Sequence, residues 1–423
     1  SQPKHPRAVL VTLDHCLFRP RDMQVLREEA VALAGLEQDV RVLFTWSHTH
    51  SGGHICRDRA DQPGGDMIEA YLVSLSKTVA GAITDAISTM QPARITYANA
   101  SSQMGAHRDF YDPDSEQFVC GFNPNVPLDL PVQVGRIRNL AGDELATLVS
   151  YPCHPTTLAW ENTLISPDYV GALRQTVEDA SGCPCIFLLS PCGDIGPRHG
   201  FVGDTEVADN NGRQVGHAAL SAWHTLSQAQ GTFEFKGPVL SGATLGQWKY
   251  RGWDDAAADP TRTRFDMHRW TVPLQYRDDL ADPDAVAARC DEWERQAVAE
   301  DVQNTGRASR ARAMAERARR EWERLAPLPD GDTYPFEIDA WRLGDALFVF
   351  VEGEPYYQLL SDIREAFPAL AVFVVVLSEG SRCSYLPTRE ACEQPLYQVD
   401  VSLLKPGCLE AVRDAILAKL ELA

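Results

Sequence analysis

The sequence lacks a hydrophobic run long enough to cross a membrane as a helix. Its longest apolar stretch, "ALAVFVVVL" from Ala369, has nine residues, whereas a membrane-spanning helix needs about 20. Low-complexity tracts are absent as well, and 44% of the residues are hydrophobic, which excludes a disordered chain. We therefore expect a globular protein without an integral membrane segment, in which this longest run forms a buried strand.

Positive charge is also scarce. The chain has 39 lysines and arginines against 59 aspartates and glutamates, which gives a formal net charge of -20. A charge of this sign repels nucleic-acid phosphates and anionic lipid surfaces, so we expect neither as a partner. An arginine-dense stretch begins at Arg307, but glutamates interrupt it, and its spacing is typical of a solvated helix face.

A disulfide framework is missing too. Eleven cysteines are scattered along the chain without the spacing of such a framework, and Cys183 and Cys185 are too close in sequence to pair easily. Reduced thiols are typical of the cytoplasm, so we expect a cytoplasmic protein on cysteine usage alone. Nothing in the sequence indicates the oligomeric state.

The chain contains instead a succession of short apolar runs that alternate with helical patterns. Several runs are apolar throughout, as is typical of strands that are covered on both faces. Strands alternating with helices predict an α/β fold, a layered mixed sheet flanked by helices, in a single domain over residues 1–423. The runs are RAVLVTLD, VRVLFTWS, ARITYANA, LATLVSYP, CIFLLSP, DALFVFVEG and LAVFVVVLSEG.

The strand signal disappears between residues 283 and 326. Two helical patterns take its place, and the second of them is the arginine-rich stretch. The strand signal then returns at "FEIDAWRL". We therefore expect a helical hairpin that is inserted within the domain and does not form a domain of its own.

Polar clusters directly follow five of the apolar runs. In open α/β sheets, ligand sites form at the carboxyl ends of the strands. We therefore expect these clusters to converge at one edge of the sheet. The clusters are SHTHSGG, CHPTT, CGDIGPR, EGEPYY and SEGSRCSYLPT.

Two of these clusters supply histidines. His48 and His50 are one residue apart, so on an extended backbone their side chains lie on the same face. Both could bind a metal, or one could bind it while the other acts as a base, although closely spaced histidines also occur on ordinary surfaces. His154 is alone in its cluster, and a lone histidine is more often structural. Its neighbour Cys153 is a weak candidate for a thiol nucleophile.

Two carboxylates follow another apolar run. Glu352 and Glu354 flank a glycine, and a carboxylate at the end of a buried strand costs free energy unless it binds something. The alternative is a helix N-cap and a solvated turn before the helical pattern "YYQLLSDIREAF". Taken together, the histidines and one carboxylate match the ligands of a hydrolytic zinc site, which keeps one coordination position open for water.

Five segments, in a fixed order between residues 41 and 400, resemble the neutral or alkaline, non-lysosomal ceramidase family and its bacterial relatives. The resemblance implies a fold like the N-terminal domain of that family, and we expect a relative without the family's C-terminal immunoglobulin-like domain. The segments are Ser47-His48-Thr49-His50-Ser51-Gly52, His154-Pro155-Thr156, Gly193-Asp194-Ile195-Gly196-Pro197, Gly353-Glu354, and Tyr385 to Tyr397 with Thr388 and Glu390 between them.

The resemblance also implies a catalytic site. The implied ligands of one zinc ion per chain are His48, His154, Glu354 and Tyr385. His50 would be catalytic beside the ligands, and Tyr397 would face the scissile carbonyl. Arg108 would be catalytic too, stabilising the developing oxyanion together with Tyr397; it is the loosest match, because His107 precedes it where the family usually has asparagine. The implied reaction is zinc-dependent hydrolysis of an amide (N-acyl) bond by activated water.

The sequence departs from the family's pattern in ways that bear on the substrate. Gly196 stands where the family has a serine, which leaves water as the simpler nucleophile. The helical hairpin is a second departure, and we expect a small or medium amide as substrate in place of ceramide. We expect Asp194 to contact this substrate. Arg108, Arg198 and Arg382 are candidates to grip a carboxylate on it.

Two other readings remain open from the sequence. The same metal could serve an esterase, a lactonase or a phosphoesterase, although phosphoesterases usually pair two metals. Alternatively, the chain could be an inactive relative that binds a small molecule. A panel of amide and ester substrates, together with the metal content of the protein, distinguishes these alternatives.

Overall fold

The computed structural model describes residues 7–226, 231–252, 263–303, 308–380 and 383–421. Within these residues the chain forms eighteen strands and nine α-helices. The strands are β1 Ala8–Leu13, β2 Arg41–Trp46, β3 Ala93–Ser102, β4 Gly105–His107, β5 Asp109–Asp112, β6 Gln117–Cys120, β7 Leu130–Asn139, β8 Glu144–Tyr151, β9 Cys185–Leu189, β10 Ile195–Pro197, β11 Gly231–Ser241, β12 Ala243–Gly252, β13 Phe265–Gln275, β14 Thr333–Leu343, β15 Ala346–Val351, β16 Glu354–Pro355, β17 Ala371–Val375 and β18 Tyr385–Leu386. The helices are α1 Pro20–Leu33, α2 Ile68–Ser88, α3 Tyr169–Ser181, α4 Thr205–Thr225, α5 Pro283–Gln303, α6 Ala308–Leu325, α7 Gln358–Ala366, α8 Tyr397–Val401 and α9 Cys408–Glu421.

The two largest sheets in the described part of the chain have four strands each. One has the strand order β3-β7-β8-β9, and the other has the order β13-β14-β15-β17. In each sheet the first three strands are antiparallel, and the last strand pairs parallel with its neighbour. The architecture is therefore mixed α/β, as the sequence predicts.

All seven apolar runs form strands, namely β1, β2, β3, β8, β9, β15 and β17. Five of them, β2, β8, β9, β15 and β17, contain fully buried side chains, with 0% exposure for Phe44, Val149, Leu189, Val349 and Val374, whereas β1 is half-buried and β3 is partly exposed. Burying a side chain of this size stabilises the folded state by about 1.5–3 kcal/mol. Since both faces of these five strands are covered, their sequences do not alternate between apolar and polar residues.

Backbone hydrogen bonds bring the ends of several strands together. Strand β1 pairs parallel with β2. After β17, the N–H of Val376 donates to the carbonyl of Leu189 in β9 at 3.0 Å, and the N–H of Glu379 donates to the carbonyl of Phe44 in β2 at 3.0 Å. The segment that follows β17 therefore runs alongside β9 and β2, and the loops after these strands are neighbours.

Helices α5 and α6 occupy the range in which the sequence predicts a helical hairpin. Their side chains pair in antiparallel order, since Arg289 of α5 bonds Glu321 of α6 at 2.5 Å and Arg319 of α6 bonds Glu294 of α5 at 2.5 Å. The two helices thus pack on each other along their length. Their status as an insertion within a single domain stays a prediction.

Helix α6 is only partly the solvated face that its sequence predicts. The side chain of Arg317 is 69% exposed, but Glu323 is 5% exposed and accepts hydrogen bonds from Arg19 at 2.6 Å and Arg59 at 2.7 Å. Arg59 also donates to Glu316 at 3.1 Å. These partners lie between 257 and 304 residues apart in the chain, so the local pattern of the sequence could not show that this face is docked.

Two further observations concern membranes and thiols. In the part of the chain that the structure describes, no helix has both the length and the apolar character needed to cross a bilayer. All eleven cysteines are unpaired. The cellular compartment stays a prediction.

Candidate active site

His48 lies beyond the end of strand β2, in a backbone conformation that side-chain-bearing residues rarely adopt. The strand ends at Trp46, and His48 has a φ of 66°, which costs about 1–3 kcal/mol and is found mostly at functional sites. The expectation that His48 and His50 share one face of an extended strand is therefore wrong. The bend nevertheless brings the two rings together, with their Nε2 atoms 3.4 Å apart.

The rings of His48 and His154 are oriented by backbone carbonyls. The Nδ1 atom of His48 lies 2.6 Å from the carbonyl oxygen of Cys16, and that of His154 lies 2.6 Å from the carbonyl oxygen of Cys192. A carbonyl oxygen only accepts hydrogen bonds, so each Nδ1 carries the proton and donates. The Nε2 atom of each ring therefore faces the cluster. Metal-binding histidines are typically oriented in this way, by a hydrogen bond from the ring nitrogen that does not bind the metal.

Glu354 and Tyr385 are placed side by side by a short parallel ladder. Strands β16 and β18 pair with Glu354 opposite Tyr385. The Oε2 atom of Glu354 lies 2.9 Å from Nε2 of His154 and 3.5 Å from Nε2 of His48. The hydroxyl of Tyr385 lies 3.4 Å from Nε2 of His154. The four residues that the resemblance implies as ligands therefore meet in one place.

Three of these residues form a compact donor set. One ligand atom from each of His48, His154 and Glu354 lies within 4.8 Å of the others. All three side chains are buried, with exposures of 2%, 0% and 8%. Because buried histidines and carboxylates cost free energy without partners, a set of this composition is typical of a metal site.

The protonation states of the cluster follow from burial and from its own charges. Burial lowers the pKa of His154 to about 3, and the positive charge of Arg108 acts in the same direction. Burial alone would raise the pKa of Glu354, but His48 and His154 outweigh it and hold that pKa well below its ordinary value. His154 is thus neutral and Glu354 is ionised, as metal ligands must be.

His48 differs, because two groups favour its charged form. Burial acts to lower the pKa of His48, but Cys16 and Glu354 outweigh it, and the pKa lies well above its ordinary value. A metal ion that binds Nε2 of His48 must therefore displace a proton.

A glycine holds the loop after β9 against Glu354. The N–H of Gly193 donates to the carbonyl of Pro355 at 3.0 Å. A Cβ atom at Gly193 would lie 2.6 Å from the carbonyl oxygen of Glu354 and 2.9 Å from the ring of Tyr356. Since neither neighbour is the end of a flexible side chain, the strand that carries Glu354 would have to move.

Replacing Gly193 by alanine is therefore expected to destabilise the fold by about 1–3 kcal/mol, the usual cost of overpacking. Gly196, three residues further on, provides the matched control, because a Cβ there would make only ordinary van der Waals contacts, with Arg108 atoms at 3.6 Å and the carbonyl oxygen of Gly121 at 4.0 Å. The Gly196→Ala variant should stay within about 0.5 kcal/mol of the wild type. Chemical denaturation of both variants measures the difference, and equal stability of the two would contradict the role given to Gly193.

Arg108 and Tyr397 both lie next to Tyr385. Arg108 is buried, donates through Nε and Nη2 to the carbonyl of Gly193 at 3.1 and 2.6 Å, and lies 5.4 Å from the centre of the Tyr385 ring. The ring of Tyr397 lies 5.9 Å from that of Tyr385, and Tyr397 is 52% exposed. Of these two residues, Tyr397 is the one within reach of a bound molecule.

Two of the residues expected to contact substrate, Asp194 and Arg198, lie outside the donor set. The carboxylate of Asp194 accepts a hydrogen bond from the N–H of Tyr357 at 2.7 Å. Arg198 is exposed and lies 5.2 Å from the centre of the Phe122 ring. Arg382 lies outside the described residues. A substrate-binding role for these three residues stays a prediction.

Cys16 is a site residue that the sequence analysis missed. Together with His48 and His50 it forms a second donor set of the same dimensions. Its Sγ atom lies 3.5 Å from Nδ1 of His48, the nitrogen that already donates to a carbonyl. The signal was available, because Cys16 closely follows strand β1 just as the polar clusters follow the other strands.

A cavity of about 240 Å³ opens onto the cluster. His48, His50, Glu354, Tyr385 and Tyr397 line it, so three of the four implied ligands and the exposed tyrosine face the same space, while His154 lies behind them, fully buried. Another part of the lining comes from helix α6, which contributes Arg320, Glu323 and Arg324. These arginines are not among the site residues predicted from the sequence, because the helical pattern indicates a solvated face.

The mixed α/β fold of the chain is similar to that of known structures. The crystal structure of the neutral ceramidase from Pseudomonas aeruginosa is similar to it, with a TM-score of 0.56 and 15% identity over 96% of this chain and 65% of that one. A ceramidase complexed with C2 is similar to the same degree, over 97% of this chain and 66% of that one.

The likeness to these ceramidases is one of fold. The chain spans just under two thirds of their length. No protein-family model matches the sequence, and no curated protein matches it. The fold expected from the resemblance is thus confirmed, while membership of the ceramidase family stays a prediction.

Proposed function

We propose that the chain is a zinc-dependent hydrolase that cleaves an amide (N-acyl) bond with water as the nucleophile. The observation that carries this proposal is the buried donor set of His48, His154 and Glu354, whose ligand atoms lie within 4.8 Å of one another. Three protein ligands and an open position are the usual equipment of a catalytic zinc site. The likeness in fold to ceramidases supports the choice of an amide bond.

The residues present fit zinc. Imidazole nitrogens and a carboxylate suit this ion. The carbonyls of Cys16 and Cys192 accept hydrogen bonds from Nδ1 of His48 and of His154, which leaves the Nε2 atoms to bind the metal. The hydroxyl of Tyr385 adds a fourth donor beside His154. When bound by such a set, zinc would lower the pKa of a water molecule, so that hydroxide is available as a nucleophile near neutral pH, and would polarise a carbonyl.

We assign the proton transfers of the reaction to His50. This residue is exposed, lines the cavity and lies 3.4 Å from His48 between the Nε2 atoms. It is placed to accept a proton from the attacking water and to donate it to the leaving amine, which converts a poor leaving group into a neutral amine.

Tyr397 and Arg108 stabilise the reaction in different ways. The Tyr397 side chain faces the cavity, where its hydroxyl can donate to the oxyanion that develops on the scissile carbonyl. Arg108 does not line the cavity. We assign it the role of a positioning residue, which fixes the ring of Tyr385 from behind while the carbonyl of Gly193 holds its guanidinium.

The size of the cavity favours a small amide. Pockets for drug-sized ligands have volumes of about 300–1,000 Å³, and this cavity has about 240 Å³. Esters and lactones share the acyl chemistry and are the principal alternative.

The test of this function is metal content followed by hydrolysis. Purified protein, stripped with a chelator and then titrated with zinc, should bind about one zinc ion per chain and should hydrolyse N-acyl amides only when zinc is present. A parallel panel of carboxylic and phosphoric esters distinguishes the alternatives. Full amidase activity in metal-free protein, or zinc-dependent cleavage of phosphoesters alone, would overturn the proposal.

A further inference from the structure

Helix α6 places two arginines at the border between the cavity of the candidate site and a neighbouring cavity of about 630 Å³. Arg320 and Arg324 are four residues apart and therefore lie on one face of the helix. Both line the cavity that contains His48, His50 and Glu354. Glu323, which lies next to Arg324 in the same helix, is buried and accepts a hydrogen bond from Arg59. This bond helps to attach α6 to the rest of the chain.

One of the arginines that line the cavity has no ion-pair partner among the described residues. Its lining includes four arginines and three carboxylates, namely Arg19, Arg59, Arg320 and Arg324, and Asp22, Glu323 and Glu354. Arg19 and Arg59 both bond Glu323, at 2.6 and 2.7 Å, and Arg320 bonds Glu316 at 2.7 Å. Among the residues that the structure describes, no carboxylate forms an ion pair with Arg324.

The surroundings of Arg324 make its charge costly. Burial lowers the pKa of Arg324; Tyr397 and Glu321 act to raise it, and the positive charges of Arg19 and Arg320 lower it further. Since arginine keeps its proton in proteins, the half-buried guanidinium stays charged. A negative group entering the cavity would relieve this repulsion.

We propose that Arg324 binds a carboxylate on the substrate, so that the substrate class of this site is small N-acylated amino acids and related N-acyl carboxylic acids. The inference rests on the proposed amide hydrolysis. It replaces the arginines suggested by the sequence with one that faces the site.

Charge and geometry favour a carboxylate over a phosphate. A guanidinium binds a carboxylate through two parallel hydrogen bonds and matches its single charge, whereas a phosphate dianion calls for a second free cation. The chain as a whole carries a net charge of -20, which repels anionic substrates at long range. A free arginine at the cavity supplies the local attraction that such a substrate needs.

The test uses two substrates that differ only in the carboxylate. Zinc-loaded protein is assayed with N-acetylphenylalanine and with N-acetylphenethylamine. The Arg324→Gln variant should lose about 10-fold to 100-fold in kcat/KM for the acid, the usual worth of a hydrogen bond to a charged group, and should cleave the neutral amide as the wild type does. Arg324→Lys keeps the charge but loses the paired hydrogen bonds of the guanidinium, so its kcat/KM for the acid should fall between the values of the wild type and of Arg324→Gln.

Arg320→Gln is the matched control, because it removes a cavity-lining arginine that already has a partner in Glu316. Its preference for the acid should change by less than about 3-fold, as is usual for an exposed ion pair. An equal loss on both substrates in Arg324→Gln, or no loss on either, would overturn the assignment while leaving amide hydrolysis intact.

A binding measurement separates this inference from the function on which it rests. If neither amide is hydrolysed, the dissociation constant of N-acetylphenylalanine is measured by calorimetry on the wild type and on Arg324→Gln. A Kd about 10-fold or more weaker in the variant supports the carboxylate site even then. Equal dissociation constants overturn it.

Discussion

Replacing His154 by alanine is expected to remove both the bound metal and the catalytic activity. His154 is fully buried, and its Nε2 lies 2.9 Å from Glu354, so the variant loses one of the three residues of the donor set and leaves the carboxylate with only its more distant partner, His48. Loss of an outer partner of a metal ligand alone costs about 10-fold to 100-fold in affinity or activity, and loss of the ligand should cost more. The measurements are zinc per chain and kcat/KM.

His54 provides the matched control for this variant. It is an exposed histidine that lines the same cavity but belongs to neither donor set. The His54→Ala variant should keep its zinc and most of its activity. Circular dichroism shows whether His154→Ala remains folded; a folded variant that retains one zinc ion and full turnover is incompatible with the proposed ligand set.

Replacing His50 by alanine is expected to have a large effect of a different kind. His50 is exposed and is proposed to move protons, so the variant should keep its fold and its zinc. Its kcat should fall by about 100-fold to 10,000-fold, which is the range for loss of a general acid–base residue.

The contrast between the two variants distinguishes a metal ligand from a residue that transfers protons. Zinc content and turnover should fall together in His154→Ala and should separate in His50→Ala. If His50→Ala loses its zinc along with its activity, then His50 is a ligand, and the donor set that includes Cys16 becomes the better description of the site.

The strands and their convergence could be predicted from the sequence, because both follow from local rules. A strand that is covered on both faces, such as the one containing Val349, must be apolar throughout. Parallel strands must also place their carboxyl ends at the same edge. These two rules are enough to bring His48, His154 and Glu354 together before any coordinates are known.

The shape of the site depended on features that no local pattern shows. The left-handed backbone of His48 is rare for a residue with a side chain, so an extended strand was the natural expectation. Cys16 was overlooked although it obeys the strand-end rule. The same rule would have found it if it had been applied to β1.

The substrate contacts were the hardest part to anticipate, because the availability of an arginine depends on its partners in space. Arg198 has a suitable side chain but lies against Phe122 at an exposed position. Arg324 belongs to a helix whose sequence indicates solvent exposure, and the ion pairs that dock this helix join residues up to 304 positions apart. Only the tertiary structure shows that Arg324 faces the cavity without a carboxylate partner among the described residues.

X-ray absorption spectroscopy at the zinc edge, on protein loaded with one equivalent of zinc, tests the central claim most directly. If His48, His154 and Glu354 hold the ion, the spectrum should show only nitrogen and oxygen neighbours at about 2.0–2.2 Å, and it should be unchanged in Cys16→Ser. A sulfur neighbour at about 2.3 Å that disappears in this variant would contradict the account and assign the metal to the other donor set.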